Sequence, residues 1–231
     1  MKSLDDIKED CKTLFATKWQ RRSGYVIPET SDIKLGNDAV QIEAAVLYAD
    51  LAGSTNLVTG YHDYFAAEVI KSFLYASCEV IKNNDGNITS FDGDRVMAIF
   101  LGDAKCTKAA KAGLQIAAAV NAVNDELHLA YQKTLYSLDY AVGIDVGNLF
   151  VIRTGIRGNN DLSWIGTPAN IAAKLSEMRG RREKVLITKA VFERMNKSSR
   201  MSRGEGKCMW SDIDLNIFGE KIYGSSWYWS F

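Results

Sequence analysis

Residues 88–100, ITSFDGDRVMAIF, run into an Asp-Gly-Asp and leave it as an apolar stretch. Asp-Gly between two such segments is a strong signal for a tight hairpin, so two antiparallel strands close on each other here. The hairpin excludes a purely helical fold and leaves two carboxylates, Asp92 and Asp94, on either side of Gly93. Asp92 and Gly93 are expected to make the turn. Asp94 is then either another turn former or a group with chemistry to perform. A second segment bears on the choice. AAVLYADL, residues 44–51, is a short and nearly continuous apolar run, the pattern of a strand buried on both faces. It ends on Asp50, just before the small-residue turn AGST.

The rest of the chain alternates between strand and helix patterns. Ser54 or Thr55 offers a helix N-cap, and Tyr61, Phe65, Val69, Phe73 and Val80 recur at helical spacing until NNDGN stops the helix. Asp103 can cap an alanine-rich helix that runs to about Leu127. LDYAVGIDVGNLFVI reads as a further hairpin, or as one strand with a bulge at its glycines. TPANIAAKLSEM is helical, with Pro168 suited to the first turn. KVLIT is a strand, Thr188 can cap KAVFERM, and two short aromatic-rich strands follow Met209. This order predicts an α+β fold, a mixed and mostly antiparallel sheet with helices packed on one face. Residues 1–43 read as an N-terminal arm packed on the domain, with a short helix within 4–19 and a loop around Pro28 and Gly36. Residues 44–231 form the domain with its C-terminal strands.

Lys plus Arg and Asp plus Glu both number 28, so the formal charge is zero and neither nucleic acid nor an anionic membrane is called for as a partner. Cys11, Cys78, Cys106 and Cys208 are scattered, and with only His62 and His128 no zinc spacing arises. Free thiols in a reducing cytosol are expected. The N-terminus is acidic and lacks the apolar core of a signal peptide, and no stretch approaches a membrane span. A cytoplasmic protein is the expectation.

Taken singly, Asp50 and Asp94 are ordinary turn residues. Together they form the donor set of a phosphate-associated divalent cation, which is held by one or two carboxylates plus substrate oxygens. Turn amides and a helix N-terminus beside Asp50 can hold the accompanying polyphosphate.

At these residues the chain resembles the class III nucleotidyl cyclases. VLYADLAGST is similar to their first metal-binding segment, SFDGDRVMAIF to their second, VGIDVGNLFV to their glycine-bracketed strand and WIGTPANIAAKL to their WGxxxNxAxR helix. The four occur in the family's order and cover about residues 44 to 190. The resemblance implies a ferredoxin-like catalytic domain working as a head-to-tail homodimer with composite sites, and two divalent ions, Mn²⁺ or Mg²⁺, as cofactors. It implies metal-binding roles for Asp50, Asp94 and the Leu51 carbonyl. Asn170 would orient the ribose, and Lys174 would stand where the family has a transition-state arginine. Ala52, Gly53, Ser54, Thr55 and Lys184 would bind the triphosphate. Arg179, Arg181 and Arg182 lie near enough in sequence to compensate for the missing arginine, or form a solvated basic loop.

Departures from the family bear on the substrate. Purine cyclases carry a lysine or glutamate four residues before the second aspartate; Ser90 stands there. The partner base-reading position aligns with Ser163. Two serines cannot make the charge-assisted contacts that read a purine edge. Tyr48, two residues before Asp50, can approach base or ribose, or simply pack. A narrower resemblance, carried by TGIRGNNDLSWIG and more loosely by VIPETSDIKLGND, is to the Pycsar-type pyrimidine cyclases of bacterial anti-phage defence. It implies UTP as substrate, with CTP as the alternative, and a cyclic nucleotide that activates a separate effector. Two other readings are a degenerate cyclase-like module that binds nucleotide without turnover and a polymerase-related domain. FDGDR lacks the acidic signature that the latter requires.

Overall fold

The computed structural model describes residues 2–231. In chain order its elements begin with α1 (Leu4–Ala16), β1 (Gln20–Ser23), a 3-10 turn (Thr30–Asp32), β2 (Asp38–Leu51), α2 (Ser54–Gly60) and α3 (Asp63–Asn83). Next come β3 (Asn87–Asp92), β4 (Arg95–Phe100), α4 (Lys105–Ala130), β5 (Tyr140–Ile156), β6 (Asn159–Ile165) and α5 (Thr167–Ser176). The chain closes with β7 (Val185–Thr188), α6 (Lys189–Arg194), α7 (Lys197–Arg200), β8 (Ser211–Ile217) and β9 (Glu220–Ser225). They form two compact units: residues up to 43 with 148–166, and residues 44–147 with 167–231.

The larger unit is built on strands in the order β3-β4-β2-β5-β7-β9-β8. β2 and β4 are antiparallel from Ala45↔Phe100 to Asp50↔Arg95, β5 and β7 are parallel, and β7 and β9 antiparallel, so the sheet is mixed. Strand alternation sorts the side chains. Ala45, Leu47, Ala49 and Leu51 join the main core with Phe65, Val69 and Phe73 of α3, the small residues of α4, and Val191 of α6. Burying a side chain such as Phe73 completely contributes about 2–3 kcal/mol. On β7, Val185 and Ile187 face this core, whereas Leu186 packs with Ile171 and Leu175 of α5 and with Ile222. Helices therefore cover both faces of the sheet, not one as expected. The apolar stripe of α5 needs its own layer, and the alternation of β7 supplies it.

Of the hairpin and the bulged strand expected for LDYAVGIDVGNLFVI, the fold has one continuous strand, β5, whose glycines at 143 and 147 admit α5. A Cβ on Gly143 would lie 2.1 Å from the Ala172 carbonyl oxygen and 2.6 Å from the Leu175 Cβ, and one on Gly147 would lie 2.9 Å from the Pro168 Cγ. Gly143→Ala should therefore destabilise the protein by about 2–3 kcal/mol through overpacking against α5. A thermal melt matching the unsubstituted chain would contradict this close approach.

Local signals account for other differences. The single helix expected after Asp50 is two, α2 and α3, separated at Tyr61 and His62, both in extended backbone conformation. Gly53, at φ 74°, is the N-cap of α2, so neither Ser54 nor Thr55 caps it. Ala104, not Asp103, precedes α4. Thr188 caps α6 as expected, its hydroxyl accepting from the Val191 amide.

In the smaller unit, α1 opens with a Ser3/Asp6 capping box and buries none of its residues. The Asn37 amide donates to the Leu14 and Thr17 carbonyls at 2.7 and 2.6 Å, and β1 pairs in parallel with residues 38–41. β6 pairs antiparallel with residues 150–156 of β5. β1 and β6, QRRS and NNDLSWI, were not anticipated because both are short and largely polar. No helix among the described residues is long and apolar enough to cross a membrane.

Candidate active site

Asp50 and Asp94 are brought together in the larger unit by strand register. Asp50, the penultimate residue of β2, lies directly opposite Arg95. Asp92 is also paired with Arg95, so the β3–β4 loop consists of Gly93 and Asp94, rather than Asp92 and Gly93. Gly93 has φ 61° and Asp94 has no positive φ, the type II′ pattern with glycine first. Asp94 thus sits at the tip of the hairpin, one residue beyond the Asp50 cross-strand neighbour.

Asp50 is only 5% exposed. Burial pushes its carboxyl up, the charge of Asp94 adds to the rise, and Arg95 and Arg179 oppose it. The Arg179 guanidinium donates to Asp50 Oδ2 at 3.3 Å, and Arg95 pairs with Glu177 at 3.0 Å and with Asp92 at 3.2 Å. Asp94 Oδ2 is buried without a hydrogen-bond partner. A buried carboxylate oxygen without a partner, beside a second carboxyl whose pKa is held up despite two nearby arginines, is a site whose negative charge those arginines do not fully offset. Among the described residues there is no group of three or more His, Cys, Asp or Glu that could complete a metal cage. The pair therefore suits a hard divalent ion whose remaining ligands are water and substrate phosphate, and does not suit zinc.

The strain has a measurable sign. A carboxyl whose folded-state pKa is raised contributes stability below its unfolded pKa and loses that contribution as pH rises through the folded value. At neutral pH, Asp50→Asn should consequently raise the melting temperature of the metal-free protein by about 2–4 °C, for roughly 1 kcal/mol. A fall in melting temperature would mean that the Arg179 pairing outweighs burial and repulsion.

Around the carboxylates the other expected residues divide. Leu51 is fully buried, with its side chain in the core. The Ala52 amide donates to the Asp139 carbonyl at 2.7 Å, so that amide is already satisfied within the chain. The Gly53, Ser54 and Thr55 amides belong to the first turn of α2, where intrahelical acceptors are lacking. Lys184 pairs with the Asp139 carboxylate, so the lysine and the 52–55 turn are joined through one residue.

Met97 of β4 pairs with Ser90 on one side and with Tyr48 on the other. Directly paired residues share a sheet face, so Ser90, Met97 and Tyr48 form a row beside the Asp92–Arg95–Asp50 row. The Tyr48 hydroxyl lies 3.0 Å from the Met97 sulfur, and Arg95 stands 5.5 Å from the Tyr48 ring centroid. Ser163 belongs to the smaller unit, where its hydroxyl meets that of Thr154 at 2.8 Å.

Among the described residues no hydrogen bond or ion pair joins Asn170 or Lys174 to Asp50 or Asp94 of the same chain. Asn170 and Lys174 lie four residues apart on α5, one turn along the same exposed face. The cation that does reach Asp50 is Arg179, one of the three arginines expected either to compensate for the missing arginine or to form a solvated basic loop. Arg95 and Glu177 were missed. The available signal for Arg95 was its position one residue after Asp94, which hairpin register carries to the neighbour of Asp50.

No established protein-family profile matches the chain. A uridylate cyclase of Xanthomonas perforans is 39% identical over 228 residues, covering 97% of each chain. A uridylate cyclase of Burkholderia cepacia is 38% identical over 232 residues and covers both chains completely. Among solved structures, the guanylyl cyclase Cya2 aligns with TM-score 0.68 at 17% identity, covering 81% of this chain and 93% of its own. The adenylyl cyclase CyaB from P. aeruginosa aligns with TM-score 0.64 at 20% identity, covering 81% and 95%. A class III adenylyl cyclase-like ATP-binding protein from Pseudomonas aeruginosa aligns with TM-score 0.66 at 20% identity, covering 84% of this chain and 44% of its own. The structural matches establish the fold, and the full-length relatives the family: the chain is a nucleotidyl cyclase of the uridylate cyclase family, on a class III cyclase-like α+β fold.

Proposed function

We propose that this enzyme converts UTP to 3′,5′-cyclic UMP and pyrophosphate at composite sites of a head-to-tail homodimer. Full-length similarity to proteins named uridylate cyclase carries the reading. The Ser90–Met97–Tyr48 row supports it, because hydroxyls and a thioether offer a pyrimidine small neutral contacts and offer a purine no charged partner. Two divalent ions, Mn²⁺ or Mg²⁺, would lower the pKa of the ribose 3′-hydroxyl and neutralise the leaving pyrophosphate. Asp50, Asp94 and the Leu51 carbonyl would hold them.

The 3′-oxygen attacks the α-phosphorus in line, the bond to the β-phosphate bridging oxygen breaks, and the hydroxyl proton leaves to solvent. Asn170 of one subunit would orient the ribose over the carboxylates of the other, and Lys174 would offset charge on the α-phosphate. Amides of Gly53, Ser54 and Thr55 would take the β- and γ-phosphates, with Lys184 beside them once it is drawn from Asp139. The cyclic nucleotide would act in the cytoplasm as a second messenger on a separate effector in anti-phage defence.

Binding without turnover is the second reading, favoured by Lys174 in place of arginine; a solved neighbour on this fold is named an ATP-binding protein. Incubation with Mn²⁺ and each of UTP, CTP, ATP and GTP in turn separates the readings. Cyclic UMP as the main product is expected. Cyclic CMP in its place would move the assignment to a cytidylate cyclase, and stoichiometric binding without pyrophosphate would favour the module.

A further inference from the structure

The Lys174 ammonium is held by an aromatic ring and not by an acid. Its Nζ stands 4.3 Å from the centroid of Phe218, within cation–π range. No carboxylate among the described residues pairs with it; Glu177, close by on the same side, is engaged by Arg95 at 3.0 Å.

The ring reaches Lys174 from a demanding position. Ile217 and Glu220 are paired across β8 and β9, so Phe218 and Gly219 are the whole loop. Both have positive φ, 51° and 84°, the pattern of a type I′ turn, whose first position favours asparagine or glycine. A bulky non-glycine residue in that region is strained, and such outliers collect at functional sites. Burial does not account for it, because Phe218 is 66% exposed. With Lys174, Met178 and Asn216 it lines a shallow surface cavity of about 440 Å³.

We infer that Phe218 is a positioning residue for Lys174, its ring face fixing the ammonium on the exposed side of α5 so that it can meet the α-phosphate of a nucleotide held by a second copy of the chain. The inference rests on the role proposed above for Lys174. Lysine is a compact charge on a rotatable four-carbon stem, without the planar fork with which arginine fixes itself on a phosphate. A ring restricts that stem yet leaves the charge uncompensated, whereas a carboxylate would neutralise it.

A series at position 218 tests this, with kcat and KM for UTP measured separately in Mn²⁺ and folding checked by thermal melts. Phe218→Tyr and Phe218→Trp keep a ring face and should stay within about threefold of the unsubstituted enzyme. Phe218→Leu keeps apolar bulk but no π face, and should lower kcat by roughly tenfold while KM changes less than about twofold. In a Lys174→Gln background the Phe218→Leu effect should vanish. Equal activity of the Leu and Tyr variants, a Phe218→Leu effect undiminished without Lys174, or a gain in kcat on Phe218→Leu would each overturn the inference. Full activity of Lys174→Gln alone would instead remove the role of Lys174 on which it rests.

Discussion

Asp50→Ala or Asp94→Ala is expected to reduce cyclic UMP formation by roughly 10³-fold or more, with Mn²⁺ as with Mg²⁺. The size of the loss follows from the donor set. Only two carboxylates converge here, and no third acidic or histidine ligand among the described residues could take over. Removing either leaves one carboxylate to hold the cation charge that the triphosphate requires. Loss of fold is not the cause to expect. Asp50 is 5% exposed, Asp94 Oδ2 is buried without a partner, and the two repel each other. Each single variant should melt near or above the unsubstituted protein in the absence of metal. Activity within tenfold of the parent in either variant, measured as cyclic nucleotide by mass spectrometry, would remove the carboxylates from the chemistry.

Mixing two inactive variants should restore activity. Asp94→Ala and Lys174→Ala homodimers each lack one component at both sites. In a mixed head-to-tail dimer one site collects both defects and the other collects neither. An equimolar mixture that exchanges subunits freely has half its molecules mixed, and each of these has one intact site of two. Recovery of about a quarter of the parent activity is therefore expected. The prediction follows from the composite site proposed above, in which Asn170 and Lys174, both on an exposed face of α5, meet a nucleotide held by the carboxylates of the other subunit. No recovery despite demonstrated subunit exchange would place the lysine and the carboxylates in the same subunit's site, or the lysine outside it.

The placement of the candidate carboxylates was legible because the signals for it are local. A hairpin signal fixes Asp94 within a few residues of sequence, and an apolar run with small residues after it fixes Asp50. The one-residue error at the turn was of the same local kind: register makes Asp92 a strand residue and leaves Gly93 and Asp94 as the loop. What was not legible is long-range. Arg179 reaches Asp50 from 129 residues away, and nothing in MRGRREKV distinguishes the arginine that does so. The second helical layer was also hidden, because an apolar run such as VLIT fits a strand covered on one face or on both until α5 is placed against it. Gly143 and Gly147 read as punctuation within a strand, yet they are spaces cut for that helix. Phe218 gave no signal at all, since a phenylalanine before glycine at a turn resembles an ordinary strand end.

The most direct measurement is the yield of cyclic UMP and pyrophosphate per UTP consumed by the purified protein in Mn²⁺, with Asp94→Asn run in parallel. The account predicts one cyclic UMP and one pyrophosphate for each UTP, and neither from the variant. Consumption of UTP with phosphate or linear UMP as product, or cyclic UMP undiminished in Asp94→Asn, would contradict it.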